Sequence, residues 1–306
     1  MAIKSPVISI LLPVFNGEKT LRATMDSLMN QTFQNFEILV GIDGTKDQSK
    51  KIAESYNDPR IVIIEHPKNL GLANNLNAMI LKANDSSKYF AMAEQDDTYV
   101  PERLQWQVDV MQENPSIGLV SGIAEFVTEG KSILFPGLLV YKDQFPQGVE
   151  LFKYLYENQL KVVNTCMLWR KSVHDKYKLS FKDTYGNFNV DWNFMLRFSL
   201  IARVHGLQKV LVKMNRRGTN VSITKDKSTQ HKASRQLLKD FYKEFPSIVT
   251  RELYDKALKK HREIELGHNS RLGILTKGLF YTFRYRDPYF ITYIYDRFRK
   301  FLNGRY

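Results

Sequence analysis

Short apolar runs, polar turns and helix-spaced stretches follow one another along the first part of the chain, and their order predicts an α/β sheet. Ile8–Phe15 (ISILLPVF) reads as a strand. From Gly17 to Asn30, Leu21, Met25 and Leu28 recur at spacings of four and three, which is one face of a helix. Phe36–Ile42 (FEILVGI) is a second strand, ending on Asp43-Gly44 ahead of a Lys/Asp/Ser-rich helix that runs to about Tyr56. Arg60–Glu65 is a third strand, and Asn69-Leu70-Gly71 opens a helix to about Ala83. Lys88–Ala93 is a fourth strand that stops abruptly at Glu94-Gln95-Asp96-Asp97, and Pro101 stands where a first helical turn accepts proline. With Ile117–Val127 as a further strand, the alternation implies a mostly parallel open sheet with right-handed crossovers.

Beyond that point the pattern loosens. Residues 128 to 160 are rich in Gly, Pro and aromatics and read as a mobile or substrate-facing excursion. Val162–Arg170 resumes strand character, Val190–Leu200 reads as a helix and Gly206–Met214 as a strand. From Lys225 helical spacing takes over, so the expected division is a catalytic domain over 1–225 and a basic, aromatic helical segment over 226–306.

Composition narrows the function classes. The 306 residues carry 45 Lys+Arg against 32 Asp+Glu and one Cys, with 43% hydrophobic content. That is enough to bury a core, and it excludes a disordered chain, a disulfide framework and a Cys-rich zinc site. The apolar opening run is too short to span a bilayer and lacks a signal-peptide pattern, so a cytoplasmic protein is expected. The net charge of +13 implies anionic company. G-x-G-x-x-G after the first strand, G-x-x-x-x-G-K-[ST], H-E-x-x-H and G-x-S-x-G are all missing, which argues against dinucleotide redox chemistry, P-loop hydrolysis, zinc hydrolysis and acyl-enzyme chemistry. The six His residues are scattered and read as structural.

In open α/β sheets ligands bind beyond the carboxyl ends of the strands. Asp43 ends the second strand, Asp96 and Asp97 end the fourth, and Asp191 opens a later helix. Paired carboxylates at a strand end suit Mg²⁺ or Mn²⁺, which prefer oxygen ligands and share them with substrate phosphates. The plainer alternatives are a helix cap for Asp97 and an N-cap for Asp191.

Five segments in order carry a resemblance: Ile8 to Glu18, Ser27 to Val40, Asp43-Gly44-Thr45-Lys46-Asp47, Asn69-Leu70-Gly71-Leu72-Ala73, and Glu94-Gln95-Asp96-Asp97 with Pro101. Together they resemble family 2 glycosyltransferases of the GT-A fold, of the bacterial surface-polysaccharide or O-antigen type, over about residues 5 to 222. The resemblance implies a Rossmann-like sheet flanked by helices, and an inverting, metal-dependent transfer of a sugar from a nucleotide-diphosphate donor, a UDP-sugar foremost, to a glycan or lipid-linked acceptor. It implies that Pro13, Phe15 and Glu18 border the nucleoside and that Asp43 bonds the base. Asn69, Gly71, Glu94, Asp96 and Arg217 complete the donor site, Asp96 and Asp97 hold Mn²⁺ or Mg²⁺, and Asp191 is the general base. The chain departs from the family at Ile42, Val190 and Arg217, which stand where Asp, Glu and His are usual.

Residues 271 to 306 hold eight Lys/Arg, two Asp and eleven aromatics. This suits a peripheral helix pair on the anionic cytoplasmic face of a membrane, or else a packed helical subdomain or homodimer contact. Two rival functions stay open. One is a sugar nucleotidyltransferase, whose Gly- and Arg-rich loop after the first strand is missing here. The other is a non-catalytic protein binding nucleic acid or an anionic surface, for which no reading motif is present, so no nucleic-acid partner is expected.

Overall fold

The computed structural model describes residues 5–128, 131–184, 186–215 and 226–302. The chain divides into two compact units, Met1–Tyr156 with Leu160–Ile223, and Glu157–Gln159 with Thr224–Tyr306.

The first unit is built on one sheet. Strands β1 (Ile8–Val14), β2 (Phe36–Asp43), β3 (Ile61–His66) and β4 (Tyr89–Met92) run parallel in the order β3-β2-β1-β4, Ile8 standing opposite both Phe36 and Tyr89. The rest is β5 (Asp97–Tyr99), β6 (Ile117–Thr128), β7 (Lys131–Phe135), β8 (Leu168–Arg170) and β9 (Arg203–Asn215). Here β8 is antiparallel to both β4 and β6, β6 runs parallel to β9, and β5 and β7 are antiparallel edges on β9 and β6. The sheet is thus parallel in one half and mixed in the other, because the short β8 is slotted between β4 and β6 by a connection that the periodicity does not reveal.

Why β1 and β2 read as continuous apolar runs follows from their burial on both faces. Ile8, Ile10, Leu12 and Val14 share one core with Leu21, Met25 and Leu28 of α1 (Leu21–Met29). Further along the chain come α2 (Ser49–Glu54), α3 (Leu72–Lys82) and α4 (Arg103–Glu113), and Leu104, Val108 and Met111 of α4 join the same core. Leu11 and Leu39 alternate to the opposite face and are fully buried there, the side that α3 covers with Ala73, Leu76 and Met79. Pro101 sits in the turn before α4 rather than in its first helical turn, its carbonyl accepting the Thr32 amide at 2.8 Å.

The stretch read as a mobile or substrate-facing excursion forms regular elements where it is described: β7 forms a hairpin with β6, and α5 (Gly137–Val140) and α6 (Val149–Asn158) follow. Two glutamines imitate a neighbouring strand along β9. Gln147 bonds the carbonyl and amide of Val204 at 2.8 and 3.0 Å, and Gln144 does the same at Gly206 at 2.7 and 3.0 Å. Leu151, Phe152, Leu155 and Tyr156 then bury the inner face of α6. The run Val162–Arg170 is a strand only at its end, preceded by a 3-10 turn at Asn164–Cys166. Helices α7 (Lys171–Lys176) and α8 (Val190–Ser199) complete this unit.

The second unit is helical: α9 (Lys227–Glu244), α10 (Arg251–Gly267), α11 (Arg271–Tyr285) and α12 (Tyr289–Leu302). Asp226, Thr250 and Ser270 cap the first three, their side chains accepting the amides of Thr229, Leu253 and Gly273. No helix among the described residues is long and apolar enough to cross a membrane.

Candidate active site

The carboxyl ends of β1, β2 and β4 are joined by side chains that bond neighbouring loops. The amides of Asn16, Gly17 and Glu18 after β1 donate to Thr45, Ser49 and Asp47 after β2, at 2.9, 2.8 and 2.9 Å. Burial alone would raise the Asp47 carboxyl, but bonds from Ser49, the Glu18 amide and Thr45 outweigh it and hold the group below its ordinary range. The Glu18 carboxylate returns a contact by accepting the Gln48 amide at 3.2 Å. The side-chain amide of Gln95 bonds the amide and carbonyl of Phe15 at 2.9 and 3.0 Å, tying the loop after β4 to the end of β1. The Phe15 ring is left 44% exposed at this edge, and Pro13, within β1, is half-buried.

Asp43 lies deeper than its expected role suggests. It is 3% exposed, and its two oxygens accept the amides of Leu70 and Gly71 at 2.6 and 3.0 Å, where the Asn69 side chain also accepts from Gly71. Gly71 has φ +82°, and a Cβ there would overlap the Asn187 side chain, so the turn demands glycine. Asn187 in turn accepts the Ala73 amide in the first turn of α3 at 3.0 Å.

That contact is one of several holding Phe181, Asp183 and Asn187 against α3. The Asn77 side chain bonds the carbonyl and amide of Phe181 at 2.8 and 2.9 Å, and Asn74 reaches Asp183 at 3.3 Å. The segment ends at Asn189, which adopts the left-handed conformation and is itself the N-cap of α8. Asp191 therefore lies in the first turn rather than at the cap, with one oxygen accepting the Trp192 amide at 2.9 Å. Burial pushes its carboxyl above the ordinary carboxylate range, against the pull of backbone amides.

After β4, Glu94, Asp96 and Asp97 place one carboxylate oxygen each within 4.8 Å of the others, an all-oxygen donor set that fits a hard divalent cation. Glu94 thus joins the two expected ligands. Asn164 donates to Glu94 at 2.8 Å, and the Glu94 amide donates to the Tyr99 hydroxyl at 2.8 Å. Burial, with the Asp97 charge added, holds the Tyr99 phenol well above its ordinary value, so it stays a neutral hydrogen-bonding group. Asp97 opens β5 and is 2% exposed, and the fully buried Arg103, stacked 4.4 Å over Tyr99 and bonding the Met92 carbonyl, interacts electrostatically with it. Burial pushes the Cys166 thiol up to about 12, which removes it as a nucleophile.

The sequence model of glycosyl transferase family 2 matches residues 9–178. The chain belongs to that family. Among curated relatives, an uncharacterized glycosyltransferase of Rickettsia typhi is 28% identical over 68% of this chain and 64% of its own length. The putative glycosyltransferase EpsH of Bacillus subtilis is 30% identical over 58% of this chain and 51% of its own. The chain therefore spans less than two thirds of the length of these relatives. S. aureus TarS 1-349 in complex with UDP-GlcNAc superposes with a TM-score of 0.58 at 16% identity, covering 97% of this chain and 92% of that one. The mannosyltransferase PcManGT of Pyrobaculum calidifontis, in complex with GDP-Man and Mn²⁺, gives 0.57 at 12% identity over 95% and 83%. The fold is GT-A-like, with the parallel strand ends of the first unit as its polar edge.

Trp169 and Arg170, in the short strand β8, serve packing and backbone pairing. Trp169 is fully buried against Phe90, Phe181 and Phe194, and Arg170 bonds the Ile117, Met111 and Asn114 carbonyls. Arg217 lies outside the described residues. Sequence reasoning overlooked Gln95, Asn164, Asn74, Asn77 and Asn187. A crowding of asparagine in Asn69–Asn77 and at Asn187 and Asn189 is the one signal that points to side chains standing in for backbone partners.

Proposed function

We propose that this chain is an inverting glycosyltransferase that moves a sugar from a nucleoside-diphosphate donor to a hydroxyl of a glycan or lipid-linked acceptor, in bacterial surface-polysaccharide assembly. The observation that carries the reading is the trio Glu94, Asp96 and Asp97 at the end of β4 in a family 2 chain. The family match also favours glycosyl over nucleotidyl transfer. A UDP-sugar is the first donor to test, because one fold neighbour holds UDP-GlcNAc, while GDP-Man in another keeps guanosine on the list.

Roles follow from chemistry. Glu94, Asp96 and Asp97 would hold Mn²⁺ or Mg²⁺, with the Asn164 side chain fixing the Glu94 carboxylate. When bound there, such a cation would supply positive charge against a departing diphosphate. Pro13, Phe15 and Glu18 border the nucleoside, and Phe15 offers a face for the base. Asp43, Asn69 and Gly71 shape the loop beneath it, and Arg217 grips the diphosphate. Asp191 takes the proton from the acceptor hydroxyl as its oxygen bonds the anomeric carbon from the side opposite the leaving diphosphate oxygen. This displacement inverts the centre, and such a base contributes about 10² to 10⁴ in rate. A carboxyl raised by burial is the stronger base once ionised.

Calorimetric titration with UDP, GDP, dTDP and CDP, each with Mn²⁺, Mg²⁺ and EDTA, tests the reading. One nucleotide should bind with metal and lose most of its affinity in EDTA and in Asp96→Ala. A folded sample that binds none would sink it.

The helical unit favours an accompanying placement. More than half of the exposed large apolar side chains among the described residues lie in α11 and α12, including Phe283 at 79% and Leu302 at 80%. Ile291, Tyr295, Phe298 and Leu302 line one exposed face of α12, beside exposed Arg299 and Lys300. Peripheral attachment to an anionic cytoplasmic leaflet would bring the enzyme to a lipid-linked acceptor. Flotation with anionic vesicles should carry the full chain, and Phe283→Glu with Leu302→Glu should abolish it. Unchanged flotation would overturn the placement.

A further inference from the structure

Within the helical unit, α9, α10 and α11 enclose an open cavity of about 550 Å³. Three of its cations, Lys232, Arg235 and Lys239, stand at spacings of three and four on α9, and Arg262 of α10 is the fourth. Like charges on one helix face repel, so this arrangement costs stability unless an anion offsets it.

The cavity supplies little of that anion itself. Its one carboxylate, Glu265, is bridged by Arg235 at 2.6 Å and by Lys277 at 3.5 Å, and the buried Tyr281 hydroxyl bonds it as well. Lys232 feels Asp226 at the start of α9. Among the described residues, Lys239 and Arg262 make no ion pair. Arg262 stacks 4.0 Å over the Tyr285 ring, which orients the guanidinium plane, and its Nε is buried without a hydrogen-bond partner. Asp287, near enough to interact with Arg262, is bonded by Lys259 at 2.8 Å. A buried donor without an acceptor is an unusual feature that calls for a ligand or a reason.

We infer that this cavity binds a phosphate or diphosphate group, held by Arg262 and Lys239 with Lys232 in support, at a site separate from the acidic cluster after β4. A planar guanidinium offers two parallel N–H groups to phosphate oxygens, and an ammonium adds a flexible point charge. The chemistry is shared by a phosphorylated soluble molecule and a phospholipid headgroup.

The test titrates the full chain with sodium pyrophosphate in EDTA at low salt, so that metal-bridged binding at Glu94, Asp96 and Asp97 does not contribute. Saturable binding is expected, weakened at least ten-fold by Lys239→Gln with Arg262→Gln and unchanged by Asp96→Ala. Arg262→Lys, which keeps the charge but loses the fork, should fall between. Metal-dependent nucleotide binding measured on the same double variant should be intact, which separates failure of this site from failure of the transferase reading. Competition by phosphatidylglycerol vesicles, and not by phosphatidylcholine, would identify a headgroup. Retained pyrophosphate binding in the presence of both would identify a soluble phosphate. No binding by the wild type, or equal binding by the double variant, would overturn the proposal.

Discussion

The two units handle polar and apolar groups in opposite ways. In the sheet unit most apolar residues are inside, and the carboxylates Asp43, Asp97 and Asp191 are wholly or largely withdrawn from water and bonded by backbone amides or placed near a buried cation. Its loops are held by side-chain amides and carboxylates that substitute for strand or helix partners. In the helical unit the order is held by packing and capping, while phenylalanines and leucines of α11 and α12 stay exposed and cations line a cavity. The lesson is that precision and adhesion need different construction. A reacting group must be held within fractions of an ångström, so its loops are bonded at many points. A surface that meets a lipid or an anion needs only the right chemistry facing outward.

This contrast yields outcomes that break or sharpen it. The largest is expected from Asp191→Asn, which should lower kcat by about 10² to 10⁴ while leaving nucleotide affinity unchanged. Retained turnover would remove Asp191 as base. With Asp191 as the proposed base, burial raises its pKa, so the rate should fall with decreasing pH already above the ordinary carboxylate range. A profile whose acid limb lies at or below that range would contradict the desolvated site.

Next is Asn164→Ala, which frees Glu94 without removing any of the three proposed metal ligands. Metal affinity should weaken by about 10- to 100-fold, read by Mn²⁺ titration of nucleotide binding. An unaltered titration would mean that Glu94 needs no support. Asn77→Ala then removes both bonds to Phe181, and an unmet polar group there costs about 1 to 3 kcal/mol. The effect should show mainly as a lower kcat, since the freed segment leads to Asp191, and equal loss in Asn77→Ala and in a distant surface variant would argue against that coupling.

In the helical unit acid should act on stability. His231, His261 and His268 cluster with ring centroids 5.1 Å apart from His231 to each neighbour. Burial pushes His231 and His261 down to about 4, against an ordinary value near 6.5. The unfolded chain therefore binds protons that the folded one refuses between those values, so stability is complete above about pH 6.5 and is lost as pH falls toward about 4. Thermal melts across that window should fall by several degrees, and His261→Gln should flatten the dependence. The smallest effect is expected from Thr250→Ala, which removes a helix cap worth about 1 kcal/mol and should shift the melt without touching turnover.

Much of this was legible in the residues. Strand runs such as Ile8–Val14 declare themselves because burial on both faces demands continuous apolar side chains, and helices such as α1 because one buried face imposes spacings of three and four. The carboxylates at the ends of β2 and β4 were legible for a related reason: polar groups that abruptly end an apolar run must emerge at the sheet edge. The elements within residues 128–160 were not legible because glutamines that pair with β9 leave no periodicity, and the turn within Val162–Arg170 was not because an apolar run of that length serves a turn and a short strand equally well.

The sequence by itself determined the alternating elements, the family, the acidic strand end and the basic aromatic tail, since each depends on neighbours along the chain. Only the tertiary structure decided that Asp43 faces inward to the Leu70 and Gly71 amides, that Asn164 supports Glu94, and that three asparagines hold the segment leading to Asp191. It also decided that Arg262 and Lys239 share a cavity. These are pairings between residues far apart in sequence, and a hydrogen bond or an ion pair is specified by distance and direction, which no one-dimensional pattern contains.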